Sequence, residues 1–427
     1  MFGVTNATSM LYTELMLCSR STTEGDVPAF TSKELVGNAC VTVLFVLTFV
    51  LTKSAWDQIR KQYFSKITVV VIGAGPIGLS AMLIAAKTSK VARLILYEEK
   101  CRYDLINRPQ QIALDARSVA FLRQKGVDFE NIEGCWGNQC FFTRIGIFQE
   151  YLLSAIDQLE IHSVIKLNTK FTKDSISELE KIPGRVMVIA CDGLNGQAAR
   201  TLGLREEWTQ QSCKYYGAVA GIERTDQRPV PSPEIRVHGL TFDLSAFYGK
   251  DFKVDEKCGF SLKIFGSDRQ RYMSLAVPKC DSNLIKALKV ALDHSIMRNI
   301  FKECFNTYKT DTESKITDLQ ALKKLKFSPR LFEIKLCWRR ETVMYLEDED
   351  IVVTCEGDAA RTLNFHSGLD VNLSIRGLES LTSFIHSTAT ANNNMKSLIE
   401  AMTLRATHAR KISEHFQRYG IAETMEL

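Results

Sequence analysis

The 427-residue sequence has few of the cysteine patterns that mark metal-binding or disulfide-stabilised proteins. Its twelve cysteines include no Cys-x-x-Cys pair and follow no regular spacing. This usage is typical of reduced thiols in the cytosol rather than of a disulfide framework. Cys135 and Cys140 are the closest pair, and they have no second ligand pair nearby. We therefore expect no metal site.

Two hydrolase signatures and a nucleic-acid signature are also missing. The chain contains no Gly-x-Ser-x-Gly elbow and no His-Glu-x-x-His pair, which argues against serine-hydrolase and zinc-protease chemistry. Its 54 basic and 49 acidic residues are spread along the chain and leave a net charge of +5 without a concentrated basic segment. Nucleic acid is therefore not an expected partner.

One long stretch lacks charge altogether. Residues 35–52 carry no charged side chain and include the dense apolar run Val41–Leu51. That length is at the short end for a bilayer-spanning helix. Basic residues such as Lys53 and Arg60 follow it, so the positive-inside rule would place the larger C-terminal part in the cytoplasm. We expect an N-terminal extension over residues 1–64 with a candidate membrane anchor at 35–52. The alternative is a buried helix or strand of the protein core.

The first regular unit of the chain begins after this extension. Residues 67–72 form a β-branched run that is typical of a strand buried on both faces. The segment GAGPIG at residues 73–78 follows at once, then an Ala- and Leu-rich helix pattern over 79–87 and a second strand pattern over 93–97. A strand, glycine loop, helix and strand in this order predict dinucleotide binding.

The glycine loop and the end of the second strand supply the first candidate site residues. Gly73 suits a tight turn, Gly75 a close approach of the backbone to a pyrophosphate, and Gly78 close packing of the helix on the strand. The start of the helix would offer free N–H groups and a positive dipole to phosphates. Glu98, or Glu99 if the strand ends one residue later, is placed to accept ribose hydroxyls. Pro76 and Ile77 complete the loop.

The rest of the chain divides into two kinds of sequence. Helix patterns and buried-strand patterns flank a region of aromatic-rich, alternating segments that are typical of an antiparallel sheet. We therefore predict a nucleotide-binding domain that is interrupted by a sheet domain, with a mostly helical C-terminus. The predicted helices cover 118–124 and 147–158, the buried strands 185–190 and 351–354, and the antiparallel strands 260–265 and 271–277.

Three segments in order resemble the motifs of the class A flavoprotein monooxygenases. The glycine loop is followed by an arginine-bearing segment, Arg108–Ser118, which in that family lies beside the flavin. Cys191–Gly196 is similar to its Asp-Gly motif, which touches the FAD pyrophosphate and NAD(P)H. Gly357–Ala360, with Gly368 and Asn372 downstream, is similar to its Gly-Asp motif, which binds the FAD ribose and forms the loop under the isoalloxazine.

The resemblance implies a fold and an activity. It implies a split Rossmann-type FAD-binding domain over 65–205 and 330–427, and a substrate-side sheet domain over 206–329. In such enzymes NAD(P)H reduces FAD and a flavin hydroperoxide hydroxylates or sulfoxidises a small molecule or a protein side chain, with molecular oxygen as co-substrate. The chain has one glycine fingerprint, so the nicotinamide is expected to bind only transiently. The cofactor-binding candidates are Gly73, Gly75, Pro76, Ile77, Gly78, Glu98, Glu99, Arg108, Arg144, Asp192, Gly193, Gly357, Asp358, Gly368 and Asn372.

Within that family the sequence is most similar to the MICAL monooxygenase domain, whose members oxidise methionines of actin. Phe242–Lys279 looks like its substrate-side sheet, His415–Ile421 like its closing helix, and Trp56 lies in a similar basic segment. Phe365 falls where MICAL proteins carry a flavin-side tryptophan. Phe365 and the neighbouring His366 are therefore the flavin-side candidates, and packing of a loop is the alternative role for both.

Two residues depart from the family pattern. Asn364 stands where a proline is common, and Asp370 where a glycine is common. Asp370 would place a carboxylate close to a cofactor that becomes anionic when it is reduced. These departures motivate the alternative function, an FAD-binding scaffold or an oxidase without hydroxylation activity.

Overall fold

A computed structural model describes residues 41–55 and 66–425. Inside the second range it leaves out 109, 138, 224–233, 241–258, 267–269, 291–292, 312, 366–369 and 392–393. The chain separates into two compact units, Met1–Lys61 and Gln62–Leu427. The proposed site lies entirely in the second unit.

In the first unit, residues 41–55 form a helix whose side chains are exposed. Val41, Leu44 and Phe45, for example, keep between 64% and 74% of their surface exposed. Within the described ranges, the structure contains no helix that is both long enough and apolar enough to cross a bilayer. The expected anchor at 35–52 is therefore not supported. Its first part, residues 35–40, and Trp56 lie outside the described residues.

The second unit is built around a six-stranded sheet with strand order β14-β15-β7-β1-β2-β6. Its central strands pair in parallel and β14 is antiparallel to β15. The predicted run at β1 is fully buried, as expected for a strand covered on both faces. The strands come from two separate stretches of sequence, so another sheet interrupts this one. They are β1 (Ile67–Ile72), β2 (Val91–Tyr97), β6 (His162–Lys166), β7 (Val186–Ala190), β14 (Val343–Leu346) and β15 (Ile351–Cys355).

The interrupting sheet has seven strands, with order β16-β13-β8-β11-β10-β9 and β12 paired to β8. These strand pairs are antiparallel, as the alternating sequence predicts. Two of its strands, β13 and β16, come after the predicted domain boundary at residue 330. The strands are β8 (Trp208–Glu223), β9 (Glu234–Leu240), β10 (Phe260–Gly266), β11 (Gln270–Pro278), β12 (Lys326–Phe327), β13 (Phe332–Arg339) and β16 (Arg361–Leu363).

Helices cover the two large sheets, and a small sheet of order β3-β5-β4 lies in the stretch between β2 and β6. Helix α1 (Pro76–Ala86) follows the glycine loop and contacts α4 (Ile145–Asp157) as well as two later helices, α10 (Asp370–Leu378) and α11 (Leu381–Ala391). The small strands are β3 (Gln111–Leu114), β4 (Cys135–Gly137) and β5 (Cys140–Arg144). The helices up to the second sheet are α1 (Pro76–Ala86), α2 (Arg102–Ile106), α3 (Ala116–Gln124), α4 (Ile145–Asp157), α5 (Lys173–Glu180) and α6 (Ala198–Thr201).

The C-terminal part is mostly helical, as predicted. Helix α12 ends in a π-helical turn, Phe416–Gly420, which lies inside the segment expected to form a closing helix. The remaining helices are α7 (Asn283–Val290), α8 (His294–Tyr308), α9 (Asp318–Lys324), α10 (Asp370–Leu378), α11 (Leu381–Ala391), α12 (Met395–His415) and α13 (Ile421–Met425).

A buried charge cluster joins the end of β15 to the C-terminal helices. Glu356, which is fully buried, accepts hydrogen bonds from Arg361 Nη1 at 3.0 Å and from Arg405 Nη2. Arg405 Nη1 also donates to the carbonyl oxygen of Gly377 at 2.8 Å. Removal of one member of such a cluster costs about 3–5 kcal/mol, because it leaves an uncompensated buried charge. The cluster therefore fixes β16, α10 and α12 relative to the Gly-Asp segment.

Candidate functional site

A cavity of about 1100 Å³ lies between the carboxyl ends of the parallel strands and one face of the seven-stranded sheet. Ligands of open parallel sheets bind in this position. The volume is at the upper end for small-molecule and cofactor sites. The predicted residues that line it are Gly73, Gly75, Pro76, Ile77, Glu98, Glu99, Arg108, Asp192, Gly193, Gly357 and Asp358.

The three glycines of the loop differ in what surrounds them. Gly73 has a φ of +98°, and a Cβ there would lie 2.5 Å from the Cys191 carbonyl oxygen. A Cβ on Gly78 would lie 1.9 Å from the Gly73 carbonyl oxygen. A Cβ on Gly75 would meet nothing within 4 Å. Gly73 and Gly78 are therefore required by the fold itself, whereas Gly75 leaves space that faces the cavity.

Helix α1 begins directly at this open space. Gly75 is its N-cap residue, Pro76 occupies the start of the helix, and no acidic residue lies in the first turn. Proline suits this position because its missing N–H would have no helical partner. The remaining N–H groups and the positive end of the helix dipole attract anions. This wall of the cavity therefore has backbone chemistry that suits an anion such as a phosphate.

Glu98 holds the glycine loop in place. Its side chain is only 7% exposed. Oε2 accepts a hydrogen bond from Ala74 N at 2.6 Å, and Oε1 accepts one from Lys100 N at 2.8 Å. Gln149 Nε2 donates to Ala74 O at 2.6 Å, so both sides of this residue are fixed. Each carboxylate oxygen keeps a further lone pair for a ligand hydroxyl.

The Asp-Gly segment forms a turn at the end of β7. Asp192 Oδ2 accepts a hydrogen bond at 2.8 Å from the N–H of Ala198, the first residue of the short helix α6. Burial raises the pKa of Asp192 above its usual value, and backbone hydrogen bonds oppose that rise. Gly193 has a φ of +86° and a Cβ there would meet nothing within 4 Å. The backbone of this turn is therefore open to the cavity.

The Gly-Asp segment follows β15 and reaches the first glycine motif. Gly357 has a φ of +65°, and a Cβ on it would lie 3.4 Å from the Cβ of Ile77. Asp358 is exposed on the cavity wall in the 3-10 turn Gly357–Ala359. Two motifs that are far apart in sequence thus adjoin at one point of the cavity.

Four other predicted residues lie away from the cavity wall. Gly78 is buried beneath the loop, and Arg144 is exposed at the start of α4. Asn372 Nδ2 donates to Ala113 O at 2.8 Å and its Oδ1 accepts from Asp115 N at 3.0 Å. Asn372 therefore ties α10 to the arginine-bearing segment instead of facing the cavity.

Phe365 is the fourth of these residues. It is fully buried in a hydrophobic cluster, where a Cβ on Gly217 would lie 2.8 Å from its ring. In this structure Phe365 belongs to the core rather than to the cavity wall, because the chain after β16 packs it against Gly217 of β8. His366 and Gly368 lie outside the described residues.

The two departures from the family pattern have different surroundings. Asn364 N donates to Lys335 O at 3.2 Å, and Asn364 Oδ1 accepts from Lys335 N at 2.7 Å. Asn364 Nδ2 donates to Glu333 O at 3.0 Å. A proline has no N–H for the first of these bonds, so Asn364 extends the pairing of β16 with β13. Asp370 begins α10 and lines the cavity.

The opposite wall of the cavity consists of residues that the sequence did not single out. Phe265, Tyr272, Ser274 and Val219 line it from β10, β11 and β8. Strand pairing places Phe265 opposite Tyr272, with ring centroids 5.4 Å apart, and Ser274 opposite Val219. Their sequence neighbours pack on the other face against the helices. The alternation was visible in the sequence, but which face would meet the cavity was not.

Lys263 lies on the same face of β10, opposite Ser274. Its side chain is fully buried. Burial lowers the pKa of Lys263 to about 7, while the nearby groups of Cys140, Asp370 and Asp115 act in the opposite direction. A buried lysine that titrates near neutral pH therefore lies where the sheet meets the start of α10.

No protein-family model matches the chain, and no curated protein is similar to it in sequence. Several solved structures have a partly similar chain path. The p-nitrophenol 4-monooxygenase PnpA from Pseudomonas putida DLL-E4 is 14% identical, with 83% of this chain and 94% of that chain covered and a TM-score of 0.46.

Two further structures give similar values. CtdE in complex with FAD is 13% identical over 82% of this chain and 92% of that chain, with a TM-score of 0.45. The tetrameric 2-methyl-3-hydroxypyridine-5-carboxylic acid oxygenase is 13% identical over 84% and 90%, with a TM-score of 0.44. Likenesses of this size carry no functional conclusion.

Proposed function

We propose that this chain is an FAD-dependent NAD(P)H monooxygenase that hydroxylates or sulfoxidises its substrate. One observation carries the proposal. The glycine loop, the Asp-Gly turn and the Gly-Asp turn are widely separated in the sequence, yet all three line a single cavity. A glycine-rich structural turn alone would not require the other two motifs to meet it.

The fold supports FAD as the ligand. We take the β1-α1-β2 unit and the parallel strand order β6-β2-β1-β7-β15 as support for a Rossmann-type domain that the seven-stranded sheet interrupts. In the proposed complex the pyrophosphate lies at Gly75 and the start of α1. Glu98 and Asp358 accept hydrogen bonds from hydroxyl groups of the cofactor. Arg108, which lines the cavity, lies beside the flavin.

FAD, when bound, supplies the transfer of reducing equivalents and the activation of oxygen. The residues of this chain bind and orient the reactants. Phe265 and Tyr272 form an aromatic wall that excludes water. We place the substrate between this wall and the flavin, with NADH or NADPH as a transient co-substrate.

The test combines three measurements on purified full-length protein loaded with FAD. NADH or NADPH should bleach the flavin without oxygen. With oxygen and a substrate, NAD(P)H consumption should match the formation of an oxygenated product, and little peroxide should be released. A protein that stays colourless after incubation with FAD, or a bound flavin that neither nucleotide reduces, contradicts the proposal.

Asp370 favours a second candidate, an FAD oxidase or an FAD-binding scaffold. Its carboxylate lines the cavity at the start of α10, where a negative charge opposes an anionic reduced flavin. An oxidase would release one peroxide for each NAD(P)H consumed and would form no oxygenated product. A scaffold would bind FAD and consume no NAD(P)H.

The finer resemblance to the MICAL domain suggests a protein methionine as substrate. This part of the proposal rests on β10 and β11, because residues 241–258 of the compared segment lie outside the described residues. Actin incubated with the protein, FAD and NADPH should gain one oxygen atom on a methionine, as seen by mass spectrometry of its peptides. If actin gains no oxygen atom under conditions in which a small aromatic substrate is oxygenated, the activity is restricted to small molecules.

A further inference from the structure

A second cavity, of about 410 Å³, lies between β13, β16 and helix α12. It shares no lining residue with the first cavity. Arginines 339, 340, 361 and 410 contribute to its wall, together with Thr209, Thr407 and Ser413. Among the lining residues that the structure describes there is no aspartate or glutamate. We call it the arginine cavity.

The positive charges of the four guanidinium groups are only partly neutralised by nearby carboxylates. Arg339 is buried and donates to two carbonyl oxygens, Ala359 O at 2.8 Å and Arg205 O at 3.1 Å, and it has no carboxylate partner among the described residues. Arg340 and Arg410 are each 65% exposed, and their nearest carboxylate oxygens are 3.9 Å away. Both therefore keep N–H groups for a ligand.

Arg361 is the most deeply buried arginine of this wall. Its side chain is 1% exposed and lines the arginine cavity. Nη1 donates to Glu356, but Nη2 has no hydrogen-bond partner within the described part of the chain. The buried Arg361 guanidinium therefore adds positive charge behind the wall of the arginine cavity, and this charge attracts an anion.

We propose that the arginine cavity binds a phosphate group, as free phosphate or as part of a small phosphorylated molecule. Guanidinium groups bind phosphate through paired, charge-assisted hydrogen bonds. A phosphate monoester carries nearly two negative charges and three acceptor oxygens, so it satisfies more of the four arginines than a carboxylate with two oxygens. The hydroxyl groups of Thr209 and Thr407 are additional donors on the wall. This proposal does not depend on the function of the first cavity.

The test uses inorganic phosphate and calorimetric titration of the full-length protein at constant ionic strength. The variant R340Q/R410Q changes only exposed side chains of the arginine cavity, so its unfolding temperature without phosphate should equal that of the wild type. Its dissociation constant for phosphate should rise at least tenfold, which corresponds to about 1.4 kcal/mol. Arg123→Gln changes a 52% exposed arginine outside both cavities and should leave the constant unchanged.

The first cavity is a competing site for phosphate, and Gly75→Leu separates the two. Binding that survives Gly75→Leu and is lost in R340Q/R410Q supports the proposal. Absence of saturable binding to the wild type, equal binding by R340Q/R410Q, or loss in Gly75→Leu alone overturns it.

If R340Q/R410Q does not fold, chemical modification of the wild-type protein tests the proposal instead. Phosphate should slow the phenylglyoxal modification of Arg340 and Arg410, but not that of Arg123, in peptides analysed by mass spectrometry. Equal modification rates with and without phosphate overturn the proposal.

Discussion

The Oε2 atom of Glu98 accepts a hydrogen bond from the backbone N–H of Ala74 at 2.6 Å. Glu98 directly follows β2, and Ala74 lies between Gly73 and Gly75 of the glycine loop. The acid that the sequence pattern assigns to a ribose therefore also fixes the loop that would hold the pyrophosphate. Loss of this carboxylate should affect two parts of the ligand site at once.

We predict that Glu98→Ala lowers FAD affinity by at least tenfold and also destabilises the protein. It leaves the N–H groups of Ala74 and Lys100 without their partner, and an unsatisfied buried donor costs about 1–3 kcal/mol. Glu98→Gln should have an intermediate effect. Its amide oxygen can replace one of the two carboxylate oxygens as an acceptor, whereas its amide nitrogen cannot replace the other. Flavin fluorescence titration measures the affinity. Glu99→Ala, at the exposed neighbour, is the matched control, and an equal loss there would contradict the role of Glu98.

Substitutions at Gly75 and Gly78 should affect different properties, FAD binding at Gly75 and protein stability at Gly78. Gly75→Leu should fold normally, because a Cβ at that position meets nothing within 4 Å, and should abolish FAD binding because the side chain fills the space of the pyrophosphate. Gly78→Ala should instead lower the unfolding temperature, because its Cβ would lie 1.9 Å from Gly73 O. Thermal unfolding and FAD titration of both variants check this contrast. Full FAD occupancy in Gly75→Leu would refute the placement of the pyrophosphate.

Asp358 should bind a hydroxyl group of the cofactor. Asp358→Ala is expected to weaken FAD binding by about 1.5–3 kcal/mol, the usual range for a hydrogen bond to a charged group. The residue is exposed on the cavity wall, so the change is expected to show mainly in FAD binding. Asp348→Ala, an exposed aspartate that does not line the cavity, serves as the control. An unchanged FAD dissociation constant in Asp358→Ala removes this role.

Lys263 should make stability depend on pH. Burial lowers its pKa to about 7 in the folded protein, whereas the unfolded chain keeps the ordinary value near 10.5. Between these values the unfolded state binds more protons, so the free energy of unfolding contributed by Lys263 rises with pH, by at most about 1.4 kcal/mol per unit. Lys263→Met removes this pH-dependent contribution, and it should stabilise the protein near pH 7 because no charge is then buried at this position.

The measurement is urea unfolding of the wild type and of Lys263→Met between pH 7 and 8.5. The stability difference between the two proteins should shrink as the pH rises. Burial raises the pKa values of Cys213, Cys304 and Cys355, so these cysteines make the free energy of unfolding fall as the pH rises. Both proteins contain the same cysteines, so this contribution cancels in the difference. Lys411→Met, at an exposed helical lysine, should show no such trend. A difference that stays constant with pH would contradict the assignment to Lys263.

Some features were readable from the sequence because local physics determines them. The β-branched run Ile67–Ile72 is typical of a strand buried on both faces, and Gly73 and Gly78 are needed where the next helix packs closely on it. The alternating segments that became β10 and β11 likewise identify antiparallel strands. In these cases the nearest neighbours in sequence are enough to define the element.

Other features depend on partners that are distant in sequence. The alternating sequence of β13 does not predict which sheet the strand joins. The residues around Glu356 do not predict that Arg405 is its buried partner. The position of Phe365 in the core follows from its contact with Gly217 on another strand. Lys263 has the sequence surroundings of an ordinary surface lysine until β10 is paired and its face is known.

The absorption spectrum of the purified protein after incubation with FAD and removal of free cofactor tests the central claim most directly. If the three motifs hold FAD in the first cavity, the protein retains about one FAD per chain with a protein-shifted flavin spectrum, and Gly75→Leu retains none. A folded wild-type protein that stays colourless, or that binds flavin no better than Gly75→Leu, would contradict the account.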